Sequence, residues 1–184
     1  MLRPTRGSGT VFGHDLAQDA DAVRTHTGLL GHTNAVYPDL TAVENLGFTL
    51  RMLGRTFDQR SVEAALETVG LASHANTRAR GFSAGMQRRL ALARLRLIAP
   101  DLLLLDEPYS SLDPEGTELV TALMADTRRK GGATILVTHD IPRATRAAER
   151  LLSLDDGRIA PWSPRSLTNG DALGEPSSVE SERE

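Results

Sequence analysis

The sequence has 184 residues, of which 40% are hydrophobic, so it is long enough for one domain with a buried core and leaves little for a second. The formal net charge of -3 gives no signal for binding polyanions, and the absence of cysteine excludes disulfides and thiolate metal sites. No apolar run approaches the roughly 20 residues that cross a bilayer, and the opening "MLRPTRGSGT" has no apolar stretch of signal-peptide length. We therefore expect a cytosolic protein without a nucleic-acid ligand, and docking on a membrane partner stays open.

The first 31 residues predict only short elements. A brief β-like run covers Thr10–Phe12, and a polar helix is predicted near Leu16–Arg24. A second short apolar run follows at Leu29–Leu30.

Residues 41–80 carry helical signals throughout. Thr41 and Glu44 have the spacing of a capping box, and apolar residues follow at helical intervals, namely Val43, Leu46, Leu50 and Leu53. Asp58 opens a second helix that Gly70 closes. This pattern predicts a helical subdomain.

Alternating helices and strands follow Ser83. The next helix runs to Pro100, and continuous apolar runs then predict two strands buried on both faces, "LLLL" at 102–105 and "ATILV" at 133–137. Asp113 and Pro114 suit the N-cap and first turn of the helix between them. Strand, helix and strand at this spacing predict a parallel sheet with right-handed crossovers.

Reactive side chains follow both predicted strands. Asp106 and Glu107 come directly after the first strand, and His139 follows the second. Ligands of open parallel sheets bind at the carboxyl ends of the strands. There Asp106 can hold Mg²⁺, Glu107 can align or deprotonate a water, and His139 can contact a terminal phosphate. The alternative is that these are polar loop residues without a function. Two acids after one strand and a histidine after the next make that alternative less favoured.

Ser83 and Gly85, in "FSAG", supply a hydroxyl and exposed amides at a helix N-terminus, which is a natural anion site. Taken alone, this motif is weak, because many helices begin with a serine N-cap.

Together these stretches resemble the ATP-binding subunits of ABC transporters from the first residues to about residue 159. "FSAGM" stands where that family has its LSGGQ signature, with Ser83 and Gly85 matching and the other three residues departing. "LLLLDEP" resembles the Walker B strand, which makes Asp106 the magnesium residue and Glu107 the catalytic acid.

The remaining family motifs follow in order. "SSLD" resembles the D-loop, with Asp113 as its acid, and His139 matches the switch histidine. "LLGHTNAVYPDLTAVENL" resembles the segment around the Q-loop, where His32 stands in place of the usual glutamine. Sensing of metal and γ-phosphate at this position is therefore in question.

The resemblance implies an α/β fold of the P-loop NTPase type, with a mainly parallel sheet and an inserted helical subdomain. It assigns residues 1–40 and 100–160 to an incomplete RecA-like core, 41–99 to a helical signature subdomain, and 161–184 to a disordered tail. It also implies ATP and Mg²⁺ as cofactors. The implied partners are a transmembrane permease and a second ATP-binding subunit.

No phosphate loop of the form GxxxxGK[ST] occurs in the sequence, whose single lysine, Lys130, ends a predicted helix. Because the family's loop precedes a segment like "LRPTSGTV", we expect this chain to begin just after it. Three explanations stay open: a start downstream of the true start of the gene, a degenerate subunit that lends its signature to a complete partner, and a fragment complemented by a second polypeptide. The chain alone is expected to bind ATP poorly.

The function implied by the resemblance is that of an ATPase module coupling ATP binding and hydrolysis to transport through a membrane partner. The pattern "LLGH" and "SAGMQRRLALARL" is similar to the haem-exporter ATPase of cytochrome c maturation, although drug and polysaccharide exporters share much of it. Two alternatives stay open: an ABC-type ATPase that acts outside transport, and a regulatory partner subunit without its own ATPase activity.

Overall fold

A computed structural model describes residues 5–162 and divides the chain into two compact units. The first unit extends to Ile141 and the second begins at Pro142. Apart from its first two residues, the predicted tail at 161–184 lies outside the described residues.

The first unit is built around a three-stranded parallel sheet. Its strands are β3 (Thr27–Leu30), β4 (Leu102–Asp106) and β5 (Ala133–Val137), which lie side by side in that order. A small antiparallel hairpin precedes them, formed by β1 (Thr10–Val11) and β2 (His14–Asp15). The predicted parallel sheet is therefore confirmed.

Five α-helices belong wholly to this unit, within the described residues: α1 (Ala20–His26), α2 (Ala42–Met52), α3 (Gln59–Thr68), α4 (Ala84–Ile98) and α5 (Pro114–Arg129). Two 3-10 helices, Ala72–His74 and Ala79–Gly81, lie between α3 and α4. Helix α1 lies a few residues later than predicted, because Asp15 accepts hydrogen bonds from the amides of residues 17 and 18 and makes a turn there.

The predicted starts of the four longer helices match the structure, because local side-chain caps fix them. The capping box of Thr41 and Glu44 is formed at the start of α2. The side chains of Asp58, Ser83 and Asp113 cap helices α3, α4 and α5.

The core lies where α2, α3 and α4 pack together and where α4 meets the sheet. Its largest fully buried side chains are mostly leucines, among them Leu30, Leu46, Leu66, Leu90, Leu92, Leu95, Leu103 and Leu105. Leu103 and Leu105 alternate along β4 with half-buried neighbours, so only one face of β4 is fully buried.

The predicted burial of the 133–137 strand on both faces is wrong. Strand β5 forms as expected, but the side chains of Ile135 and Val137 are 56% and 57% exposed. In the described part of the chain β5 pairs only with β4, and α5 packs against it. An apolar run indicates a strand but does not show which of its faces another element covers.

The second unit contains a β-hairpin. Helix α6 (Ile141–Ala147) begins at the last residue of the first unit, and β6 (Leu152–Asp155) then pairs antiparallel with β7 (Arg158–Pro161). Asp156 and Gly157 both have positive φ, at 44° and 73°, which is the conformation of a tight two-residue turn. The predicted strand leading into a turn at 150–159 is confirmed.

Candidate functional site

Three of the predicted site residues meet at the carboxyl edge of the sheet, and we call Asp106, Glu107 and His139 the strand-tip cluster. Asp106 is the last residue of β4 and pairs in register with Val137, the last residue of β5. Glu107 and His139 therefore leave neighbouring strands at the same edge.

Glu107 and His139 are in direct contact. The His139 amide donates to Glu107 Oε1 at 2.9 Å, and His139 Nδ1 lies 2.9 Å from the same oxygen. The Thr138 hydroxyl donates to Glu107 Oε2 at 3.2 Å. The contact joins the tips of two adjacent strands around one carboxylate.

This environment keeps Glu107 ionised. Partial burial raises the pKa of the Glu107 carboxyl. Hydrogen bonds from the His139 side chain and amide, together with the nearby imidazole, lower that pKa by more than burial raises it, so the pKa lies below its usual value. A carboxylate held in this form can accept a proton or orient a water.

The Asp106 carboxylate is half-buried, and no described residue donates a hydrogen bond to it. Within residues 5–162, no group of three or more histidine, cysteine, aspartate or glutamate residues forms a metal cage. Mg²⁺ does not need such a cage, since it usually takes one or two carboxylates together with waters and phosphate oxygens. An oxygen donor such as Asp106, free of protein partners, fits that requirement.

A second group of predicted residues lines a pocket of about 280 Å³, which we call the signature pocket. Ser83, Gly85 and Asp113 all contribute to it, and the full lining is Ser83, Gly85, Met86, Arg89, Ser111, Leu112 and Asp113. The Ser83 hydroxyl accepts a hydrogen bond from the Met86 amide at 3.2 Å and so acts as an N-cap.

Gly85 lies in close contact with the segment before α5. A Cβ at this position would lie 3.0 Å from the backbone oxygen of Ser111, tighter than most van der Waals contacts of a methyl group. The glycine therefore allows the first turn of α4 to approach the segment before α5.

Asp113 performs two tasks at the edge of this pocket. It accepts a hydrogen bond from the Gly116 amide at 2.8 Å, and its two oxygens lie 2.7 and 2.8 Å from Arg89 Nη2. The Gly116 amide and then the Arg89 guanidinium lower the pKa of the Asp113 carboxyl. The pair joins the second turn of α4 to the N-cap of α5.

His32 makes no polar contact with the strand-tip cluster or with the lining of the signature pocket. It is exposed in the loop after β3 and forms no hydrogen bond with the described residues. The structure therefore gives no contact that relates His32 to the strand-tip cluster.

Arg88, which the sequence reasoning missed, lies directly behind the strand-tip cluster. Its side chain is only 4% exposed, and its guanidinium donates to the carbonyl oxygens of Gly31 and Glu107, both at 2.7 Å. Nothing in the local sequence separates it from the other arginines of α4, because its partners lie in two distant chain segments, at 31–34 and 106–108.

Comparison with protein families decides the relationship. The family model described as ABC transporter matches residues 1–110. The chain belongs to the ATP-binding subunits of the ABC transporter family. The match covers the signature pocket's Ser83 and Gly85 and the carboxylates of the strand-tip cluster.

Curated relatives agree with this assignment. The ABC chain is 34% identical over 174 residues to the Nod factor export ATP-binding protein I of Cupriavidus pinatubonensis, which covers 91% of this chain and 52% of the relative. It is 36% identical over 154 residues to the cytochrome c biogenesis ATP-binding export protein CcmA of Pseudomonas putida, covering 84% and 73%. The chain spans about half the length of the first curated relatives it matches.

Solved structures confirm the P-loop NTPase fold. An ATP-binding subunit of an ABC transporter superposes with a TM-score of 0.78 at 24% identity, over 87% of this chain and 69% of that one. A dimeric ATP-binding cassette in a post-hydrolysis state, bound to ADP and Pi, superposes with a TM-score of 0.74 at 26% identity, over 87% and 75%. Among the helices that the structure describes, none is long and apolar enough to cross a membrane.

Proposed function

We propose that this ABC chain is the ATP-binding subunit of an export system, in which it couples ATP binding and hydrolysis to transport through a transmembrane permease. The observation that carries the proposal is the contact between the Glu107 carboxylate and His139, next to Asp106, whose carboxylate accepts no hydrogen bond from the described residues. This arrangement matches what hydrolysis of a phosphoanhydride requires, a base for water next to a cation ligand.

Each member of the strand-tip cluster has a separate role in this proposal. Asp106 would hold Mg²⁺, which supplies charge neutralisation at the phosphates when it is bound. Glu107 would orient the attacking water and accept its proton, since its lowered pKa keeps the carboxylate in the ionised form that can bind the water. His139 would hold Glu107 in place and contact the terminal phosphate.

The signature pocket would act on nucleotide held by a second ATP-binding subunit. Ser83 and the amides around Gly85 open helix α4, whose positive N-terminal dipole favours phosphate, and Asp113 lies at the rim. A dimer supports this role, since one structural relative is a dimeric cassette bound to ADP and Pi. His32 would stand near the Q-loop position of the same site, as proposed from its place in the sequence.

Export of haem is the most specific version of the proposal. It is supported by the 36% identity to the cytochrome c biogenesis export protein CcmA. Relatives named for export of Nod factor and for daunorubicin resistance are similarly close, so the cargo would be chosen by the permease. In this proposal residues 1–40 and 100–160 form the nucleotide core, and residues 41–99 form the signature subdomain. The whole chain would work at the periphery of the inner membrane.

A second candidate function is that of a partner without its own hydrolysis. The observation that favours it is the signature pocket, which Ser83, Gly85 and Asp113 of this chain line without any residue of the strand-tip cluster. Such a subunit would lend Ser83 and Gly85 to a complete partner and would not use Glu107.

Two variants of the chain in its native transporter complex separate these functions. We expect Glu107→Gln to lower ATP hydrolysis by a factor of about 10²–10⁴, because it removes the base and keeps the shape. Ser83→Arg should also abolish it, by filling the signature pocket. Loss with Ser83→Arg alone would favour the non-hydrolysing partner. Unchanged hydrolysis and transport in both variants would refute both candidates.

A further inference from the structure

The Arg88 guanidinium lies where three chain segments meet. Its Nη1 donates to the Gly31 carbonyl at 2.7 Å and to Asn34 Oδ1 at 3.1 Å, in the loop that follows β3. Its Nη2 donates to the carbonyls of Asp106 and Glu107 at 3.2 and 2.7 Å. The Nε reaches the Pro108 carbonyl at 3.4 Å. One side chain of α4 thus holds the tip of β4 and the loop after β3.

This cation is buried without an ion pair among the described residues. Burial lowers the pKa of the Arg88 guanidinium, and the nearby Asp106 charge partly opposes that effect. Neutral carbonyl oxygens take the place of a carboxylate partner. A planar group with five donors is suited to such a junction, whereas an ammonium cannot reach all of these acceptors at once.

The backbone that Arg88 contacts has an unfavourable conformation. Glu107 has φ of +43°, in the left-handed region that residues with a Cβ disfavour. Such a conformation persists only when its surroundings hold it. The Glu107 amide donates to the Val137 carbonyl at 2.9 Å, and the Glu107 carbonyl accepts from Arg88 and from the Ser110 amide. Arg88 is the only side chain among these partners.

We propose that Arg88 is a positioning residue, which holds Glu107 in its left-handed conformation and thereby fixes the carboxylate against His139. It also ties that carboxylate to the loop at 31–34, so a displacement of the loop carrying His32 changes the position of Glu107. The inference deepens the proposed function and rests on it for its catalytic consequence, but the geometry it predicts needs no nucleotide.

Amide hydrogen exchange on the full chain without nucleotide tests the geometric part. The Glu107 amide bonds to Val137, and the His139 amide bonds to the Glu107 carboxylate, so both report the position of Glu107. We expect Arg88→Met to speed exchange at these two amides by about tenfold or more, because it removes the clamp, while the amides of α3 change little. Arg88→Lys should give an intermediate increase.

Arg94→Met is the matched control. Arg94 lies on the same helix and is half-buried, and among the described residues it donates only to the Leu29 carbonyl, at 2.9 Å. This control should leave exchange at Glu107 and His139 unchanged. If Arg88→Met does not fold, Arg88→Lys and Asn34→Ala test the proposal in its place. Each of them weakens the contacts of Arg88 without removing a buried charge.

Exchange at Glu107 and His139 that equals the wild-type rate in the Arg88 variants would overturn the proposal. A uniform increase over the whole chain, equal to that of Arg94→Met, would also overturn it and make Arg88 an ordinary core residue. In the transporter complex, the folded Arg88 variant should lower kcat with little change in KM. A local exchange effect in a complex that hydrolyses no ATP would retain the positioning role and reject the proposed function.

Discussion

At the scale of single residues, Asp113 shows how one carboxylate serves both helix capping and the signature pocket. Its partners are the Gly116 amide and the Arg89 guanidinium, and both favour the ionised form. Because the pKa of Asp113 is lower in the folded chain than its ordinary value, the folded state binds fewer protons at this group than the unfolded state does. Its contribution to stability is therefore present above the ordinary aspartate pKa and is lost as the pH falls through the folded pKa.

The Asp113→Asn variant tests that pH dependence. Asparagine also caps helices, so it keeps the bond to Gly116 but loses the charge that faces Arg89. We expect wild type to lose more stability than the variant between about pH 5 and pH 2, and the two to differ least at the acid end. Urea denaturation over this range measures the difference. Parallel curves for the two proteins would contradict the assignment.

The residues of the strand-tip cluster were predictable because each of them follows the end of a strand. Asp106, Glu107 and His139 each follow an apolar run, and parallel strands bring such positions to one edge. Arg88 and the positive φ of Glu107 carry no local signal, because both depend on contacts between β4, α4 and the loop after β3. Tertiary structure alone identifies them.

At the scale of elements, α4 is the helix around which the first unit is organised. It contacts α2, α3, α5 and β3, and it carries both Ser83 of the signature pocket and Arg88 behind the strand-tip cluster. Five of its apolar side chains are buried, namely Leu90, Ala91, Leu92, Ala93 and Leu95. Loosening this helix should therefore affect stability and both groups of site residues together.

Leu92→Ala measures the packing of α4. Leu92 is fully buried in the core, so the truncation should lower the free energy of unfolding by about 2–5 kcal/mol. The control is Met52→Ala on α2, where the side chain is 71% exposed and the expected change is within about 0.5 kcal/mol. Equal effects of the two substitutions in denaturant unfolding would show that the described core is wrong.

Element types and the starts of helices α2 to α5 were predictable, and the exposure of β5 was not. The capping box at Thr41 and the caps at Ser83 and Asp113 are local, so the sequence determines them. The exposure of β5 depends on how many elements cover it, which a five-residue apolar run does not encode.

At the scale of the whole molecule, β5 presents an open edge and an apolar face within the described residues. It pairs with β4 on one side only, and Ile135 and Val137 project exposed side chains. Unpaired strand edges with apolar side chains promote association between chains.

Ile135→Lys tests this liability. A lysine on an edge strand opposes pairing with another chain, so the variant should show less self-association than wild type at equal concentration. Light scattering after size-exclusion chromatography measures the change. The control is Thr121→Lys, an exposed position on α5, which adds the same charge away from the strand and should leave association as it is in wild type. A fall in association in both variants would assign the effect to net charge.

The pairing of β4 with β5 sets Asp106 opposite Val137. Each residue of a strand advances the chain by about 3.3 Å, so sliding β5 by two positions would carry His139 about 7 Å along the sheet and out of reach of Glu107. If Glu107 acts as the proposed base, the alignment of β5 with β4 would control its activity, because substitutions that let β5 slip would separate Glu107 from His139 while every reactive side chain stayed intact.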